Sequence, residues 1–258
     1  MVYSTRKLDN KYVSEKRVEI EGIPTLEFKP ENSNGKLPTI IYYHGWSSNK
    51  EFQRFKANIM ASYGYQVIVP DSIHHGERDP VTHEKEGILE QYLLKTILNT
   101  IEEAPTLINY VKDLKLTDQD RISIMGTSMG GFISSGIFTQ HQIFKTLVVL
   151  NGACAWKKLA AFDTRPHSEQ YWNHREELVK YNPADHLDLF NERPVLLLHG
   201  DSDSSLPIEA QRYFYKKAVD YYQDKNRIEL IEVPKMDHYI STGMLENAIS
   251  FNEDYLKR

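Results

Sequence analysis

The chain has 258 residues, 40% hydrophobic and 26% charged, with 31 Lys and Arg against 36 Asp and Glu for a formal net charge of −5 at pH 7. That balance suits one large domain with a sizeable core. The basic residues are scattered, which gives no footprint for nucleic acid or an anionic membrane, and no apolar run approaches the roughly 20 residues of a membrane helix.

The first ten residues lack the apolar stretch of a secretory signal. Residues 16–21 and 25–29 read as two strands around Gly22-Ile23-Pro24, a hairpin. Residues 30–35 form a loop by composition. Residues 39–43, apolar on both faces, predict a buried parallel strand. A helix is expected over 51–63, with Phe52, Phe55, Ile59 and Met60 near one face. The next strand, 65–69, stops at Pro70. Residues 86–112 read as helical, ended or kinked by Pro105. A strand over 121–125, a helix over 129–140 and a strand over 146–150 follow. The rhythm then breaks: residues 151–189 are rich in aromatics and charge, including Trp156, Phe162, Tyr171, Trp172 and Tyr181, and read as a small helical cap. It resumes with a strand at 194–198, a helix at 208–222, a strand at 227–233 and a helix at 244–256. Alternating strands and helices imply a mainly parallel sheet covered on both faces. The expected architecture is therefore one α/β domain spanning 1–258 with an insertion at about 151–189. The single cysteine, Cys154, rules out an internal disulfide and fits a reducing cytoplasm; it reads as a buried small residue.

The most informative segment is Gly126-Thr127-Ser128-Met129-Gly130. A serine hydroxyl is a poor nucleophile until a turn exposes it and a base takes its proton. A G-x-S-x-G turn between strand and helix does the first job, because glycines on either side avoid the clashes of a sharp reversal. Three other segments follow predicted strands, at the ends where ligands bind in open α/β sheets. His44-Gly45-Trp46 can present the Trp46 N–H, which with the Met129 N–H makes a pair of oxyanion donors. The segment 199–207 offers two aspartates, Asp201 and Asp203, as a buried acid; Asp203 lies deeper in the loop. His238, in the loop after the last strand, completes the order Ser, Asp, His. Cys and His do not cluster at zinc-ligand spacing, and no phosphate-binding glycine loop is present.

These four motifs, in this order, make the chain resemble the α/β-hydrolase superfamily from about Lys16 onward, nearest in pattern to bacterial prolyl-oligopeptidase-like and dienelactone-hydrolase-like esterases. In that family H-G-x-x-D-x-x-[VL]-P carries the acid; here it reads His199-Gly-Asp-Ser-Asp203-Ser-Ser-Leu-Pro207 and implies Asp203. Asp71-Ser-Ile-His-His-Gly-Glu-Arg78 is similar to the family's D-x-x-x-H-G segment. Dienelactone hydrolases use cysteine where this chain has Ser128, so lactone specificity is not implied.

The resemblance implies a serine hydrolase with Ser128, His238 and Asp203 as nucleophile, base and acid, and no cofactor or metal. A small-molecule ester is the expected substrate. A peptidase on short peptides, a thioesterase, a deacetylase and a non-catalytic binding protein are the alternatives. The peptidase reading is weakened by the short stretch before Lys16, which leaves no room for a propeller that screens peptides. His75, Arg78 and Trp156 are candidate substrate contacts; the alternatives are that the loop carrying His75 and Arg78 caps the fold with its charges solvated or paired, and that the aromatics of 156–181 form the insertion's own small core. No nucleic acid or membrane partner is expected, and a homodimer stays open.

Overall fold

A computed structural model describes residues 10–160 and 175–257. Eight strands form one sheet in the order β1-β2-β4-β3-β5-β6-β7-β8. They are β1 (Val13–Ile20), β2 (Ile23–Pro30), β3 (Leu37–Tyr43), β4 (Gln66–Pro70), β5 (Thr117–Thr127), β6 (Thr146–Leu150), β7 (Val195–Gly200) and β8 (Ile228–Val233). β1 and β2 pair antiparallel, as do β2 and β4; every other pair is parallel. This is the α/β-hydrolase architecture.

Strand residues alternate between two cores, as a two-period chain requires. Ile41, Ile124, Val149 and Leu197 face one side, under α2 (Ile88–Glu102), α3 (Ala104–Asp113), α4 (Met129–Gln140) and α6 (Glu209–Ala218). Ile40, Met125, Val148 and Leu198 face the other, under α1 (Arg54–Ser62) and α7 (Thr242–Leu256). Burial on both faces explains why these strands read as unbroken apolar runs.

Differences from the expected elements have local causes. Pro105 splits the long helix into α2 and α3 and sits in the first turn of α3, where a missing N–H costs nothing. The helix over 51–63 begins as one 3₁₀ turn, Glu51–Gln53, and buries Ala57, Met60 and Ala61; Phe55 is 63% exposed. β5 starts four residues early because polar Thr117 pairs with Leu37. Between β6 and β7 lie α5 (Trp156–Ala160), a helical turn at 175–179 and the 3₁₀ turns Pro183–Asp185 and Leu187–Phe190. Trp156, Leu178, Leu187 and Phe190 from this stretch join the main core. Phe162, Tyr171 and Trp172 lie outside the described residues. Cys154 is buried and unpaired, and burial pushes its thiol up to about 12. No helix among the described residues is long and apolar enough to cross a membrane.

Strand register sets where the site forms. Tyr43 pairs with Gly126, Gly126 with Val149, Leu150 with Leu198, and Gly200 with Val233. Five strands therefore end on one edge. The chain runs from β3 outward to β4, then crosses to β5 on the other side of β3. The chain leaves β3 and β5 toward opposite sides of the sheet there, the kind of switch point at which open α/β sheets bind ligands.

A buried ion pair ties the loops after β3 and β4. Lys50 and Asp71 are both 0% exposed, and Lys50 Nζ lies 2.6 Å from Asp71 Oδ2 and 2.8 Å from Glu77 Oε1. The Lys50 and Glu77 N–H groups also donate to Asp71, at 2.8 and 3.1 Å. Removing one partner strands the other charge, which costs about 3–5 kcal/mol. Lys50→Met should lose stability of that order in urea unfolding. Lys50→Met with Asp71→Leu should recover only part of it: the apolar pair removes the stranded charge, but the Lys50 and Glu77 N–H groups lose their acceptor.

Candidate active site

The site starts at the turn between β5 and α4. Ser128 sits at φ 54° and ψ −117°, outside the usual regions for an L-residue. A Cβ on Gly126 would overlap the Gly130 carbonyl, and one on Gly130 would overlap the Tyr43 carbonyl. Only glycine at both positions lets β3, the turn and α4 approach this closely. The Ser128 N–H donates to Leu150 O at 2.9 Å, which anchors the turn to β6.

Two loops deliver partners to the Ser128 hydroxyl. His238 Nε2 lies 2.8 Å from Ser128 Oγ, and His238 Nδ1 lies 2.7 Å from Asp203 Oδ2. A carboxylate only accepts, so Nδ1 carries the proton and Nε2 is left to accept from the hydroxyl. The Asp203 side chain is fully buried. Its Oδ1 accepts from the Ser205 and Leu206 N–H groups at 2.9 and 2.8 Å, and His199 Nε2 lies 3.2 Å from Oδ2. Burial opposes the charge of Asp203, but hydrogen bonds from His199, His238 and Leu206 outweigh it and hold the carboxyl well below the usual range.

The second aspartate of the motif does other work. Asp201 Oδ1 accepts from the Lys235 N–H at 2.7 Å and fastens the loop after β8. Two contributors escaped the sequence reading. His199 Nε2 donates to Leu206 O at 2.8 Å, with Asp203 Oδ2 at 3.2 Å as a second, longer acceptor; its signal was its place in the H-G-x-x-D motif. Asp237 Oδ1 accepts from the Ser204 N–H and hydroxyl at 2.8 and 2.9 Å, joining the two loops; adjacency to His238 was its only signal.

The loop after β3 supplies the expected N–H donor. A Cβ on Gly45 would stand 3.3 Å from Ser128 Cβ, so the loop passes directly over the serine. His44 Nδ1 donates to Gly45 O at 2.8 Å, and its Nε2 accepts from the Ser72 N–H at 3.1 Å. Burial lowers the His44 pKa and keeps it neutral for this double role. In a trans peptide the carbonyl and the next N–H point opposite ways. Fixing Gly45 O therefore fixes the direction of the Trp46 N–H. Neither the Trp46 nor the Met129 N–H has a hydrogen-bond partner among the described residues.

The three expected substrate contacts are occupied otherwise. His75 is 0% exposed, donates from Nδ1 to Ile73 O at 2.9 Å, and packs against Trp46 and His83 with ring centroids 4.9 and 4.2 Å away. Arg78 makes a two-pronged pair with Glu103 at 2.6 and 2.7 Å. Trp156 is buried in the main core, its indole N–H donating to Ala153 O at 2.7 Å. These side chains brace the walls of the site.

Burial pushes the His75 imidazole down to about 3. An unfolded histidine takes up its proton near 6.5. Between those values the unfolded chain binds the extra proton, so stability falls as pH is lowered from about 6.5 toward 3. The slope from this one group is at most about 1.4 kcal/mol per pH unit. His75→Phe should flatten the pH dependence of the urea unfolding free energy across that window.

Comparison with known proteins gives the family. Esterase YjfP of Escherichia coli (strain K12) is 25% identical, covering 92% of this chain and 97% of its own. YitV of Bacillus subtilis (strain 168) is 29% identical over the same shares of the two chains. Among solved structures, TT1662 from Thermus thermophilus superposes with a TM-score of 0.78 at 18% identity, over 95% of this chain and 99% of that one. Pyrococcus horikoshii acylaminoacyl peptidase gives 0.74 at 20% identity, over 98% of this chain but 45% of that one. Residues 50–255 match the model of the prolyl oligopeptidase family, peptidase S9. The chain belongs to that family of serine hydrolases.

Proposed function

We propose that the protein is a carboxylesterase acting through an acyl-enzyme on Ser128. The observation that carries this reading is the continuous chain Ser128 Oγ, His238, Asp203, with links of 2.8 and 2.7 Å. His238 takes the hydroxyl proton as Ser128 Oγ attacks the ester carbonyl. The Trp46 and Met129 N–H groups receive the oxyanion. His238 then returns the proton to the departing alcohol, and water repeats the sequence to release the acid. Asp203, held as a carboxylate, stabilises the imidazolium formed in both halves. Residues 151–189 are, in the same proposal, an insertion of a single domain.

The name of Esterase YjfP, matched over nearly its whole length, favours an ester over an amide. The second reading, cleavage of short peptides, is favoured by the family's description and by the acylaminoacyl peptidase neighbour.

Ser128→Ala should lower kcat on p-nitrophenyl esters by about 10⁴- to 10⁶-fold with the circular dichroism unchanged. Asp203→Asn should cost about 10⁴-fold, because an amide can hold His238 in the wrong tautomer. Turnover of p-nitrophenyl butyrate should far exceed that of aminoacyl p-nitroanilides; the reverse order would establish the peptidase reading. A wild type that neither hydrolyses any ester nor takes up a fluorophosphonate on Ser128 would sink both.

A further inference from the structure

The acid and the base arrive on different loops, after β7 and after β8, and must meet within a few tenths of an ångström. Three side chains tie one loop to the other, besides the backbone bonds from the Asp201 and Ser202 N–H groups to Val233 O and Met236 O. The outer ties, Asp237 to Ser204 and Asp201 to Lys235, are exposed, where water competes for each hydrogen bond. The inner tie is the side-chain amide of Asn151, which is 1% exposed.

Asn151 follows β6 directly. Its N–H donates to Leu198 O at 2.8 Å, extending the pairing of β6 with β7. Its Oδ1 accepts from the Gly200 N–H at 3.0 Å, three residues before Asp203. Its Nδ2 donates to Tyr239 O at 2.8 Å, one residue after His238. The amide has only one orientation here, because the flipped group would set NH₂ against the Gly200 N–H and oxygen against the Tyr239 carbonyl. The backbone at Asn151 is left-handed, φ 44°, which asparagine tolerates better than most residues. Glycine would also tolerate it, but glycine has no amide to offer.

We infer that Asn151 is a positioning residue for the catalytic base: its amide sets the distance between the loop carrying Asp203 and the loop carrying His238. This rests on the acyl-enzyme reading above. Such a residue acts on the barrier rather than on substrate binding. Misplacing a catalytic group by about 1 Å costs on the order of a hundredfold.

The test compares Asn151→Gly and Asn151→Asp with wild type. Asn151→Gly keeps the backbone turn without strain and removes both side-chain bonds. Asn151→Asp keeps the acceptor for Gly200 and loses the donor to Tyr239. Both should lower kcat on a p-nitrophenyl ester about 10- to 100-fold, with KM within about threefold. Fluorophosphonate labelling of Ser128 should slow by a similar factor. The low-field proton resonance of the His238–Asp203 bond should shift or broaden while the unfolding transition stays cooperative. If Asn151→Gly fails to fold, Asn151→Asp, nearly isosteric, supplies the same comparison. A kcat within twofold of wild type in the folded variant, or a loss that matches the fraction unfolded, overturns the inference. A wild type whose Ser128 is never labelled overturns instead the acyl-enzyme reading beneath it.

Discussion

Ser128 adopts φ 54° and ψ −117° because β5 must reverse into α4 without an intervening loop. A strained backbone of this kind costs on the order of 1–3 kcal/mol and persists only where its surroundings enforce it. Here they do. Glycines at 126 and 130 leave no Cβ where the turn meets itself and β3. The Ser128 N–H is held by Leu150, and α4 is buried along nearly its whole length. The hydroxyl position is thereby set by the sheet and the central helix. Everything else in the site has to be brought to it.

The sheet does that through register. The ends of β3, β5, β6, β7 and β8 lie on one edge, so the loop of Gly45 and Trp46, the turn of Ser128, Asn151, and the loops of Asp203 and His238 all leave from neighbouring points. Loops are then short lever arms on rigid strands, which is how a site keeps sub-ångström geometry. Side-chain and backbone bonds finish the positioning: His44 on Gly45, Asp201 on Lys235, Asp237 on Ser204.

The two buried carboxylates show what separates a structural charge from a usable one. Asp71 is neutralised by a fixed cation, Lys50, and its charge is spent on joining two loops. Asp203 is stabilised by backbone N–H groups and two imidazoles, with no lysine or arginine among its hydrogen-bond partners. Its negative charge therefore remains free to favour a proton arriving on His238. A permanent cation beside it would cancel that effect.

Much of this was legible in the sequence, for local reasons. The two-faced strands, the break at Pro105 and the glycines around Ser128 all follow from residue type and spacing within a few positions. The order of Ser128, Asp203 and His238 along the chain pointed to loops at strand ends, and those loops do meet. The choice of Asp203 over Asp201 came from its deeper place in the loop and partly from likeness to a family pattern; tertiary contacts give each aspartate its own partners. For the polar side chains of the loop after β4 the sequence left two readings, contact with substrate or charges paired within the fold, and named no partner. His75 and Arg78 are of the types that bind substrates, but folding turns one into a stack with His83 and Trp46 and the other onto Glu103, residues distant in sequence. Trp156 likewise belongs to the core because Phe132 and Gly136 of α4 pack against it. Sequence periodicity and turn chemistry determined which elements form and where Ser128 sits. Which polar groups face the site, and which are consumed in holding its walls, was decided by long-range packing, because a hydrogen-bond partner is chosen by proximity in space.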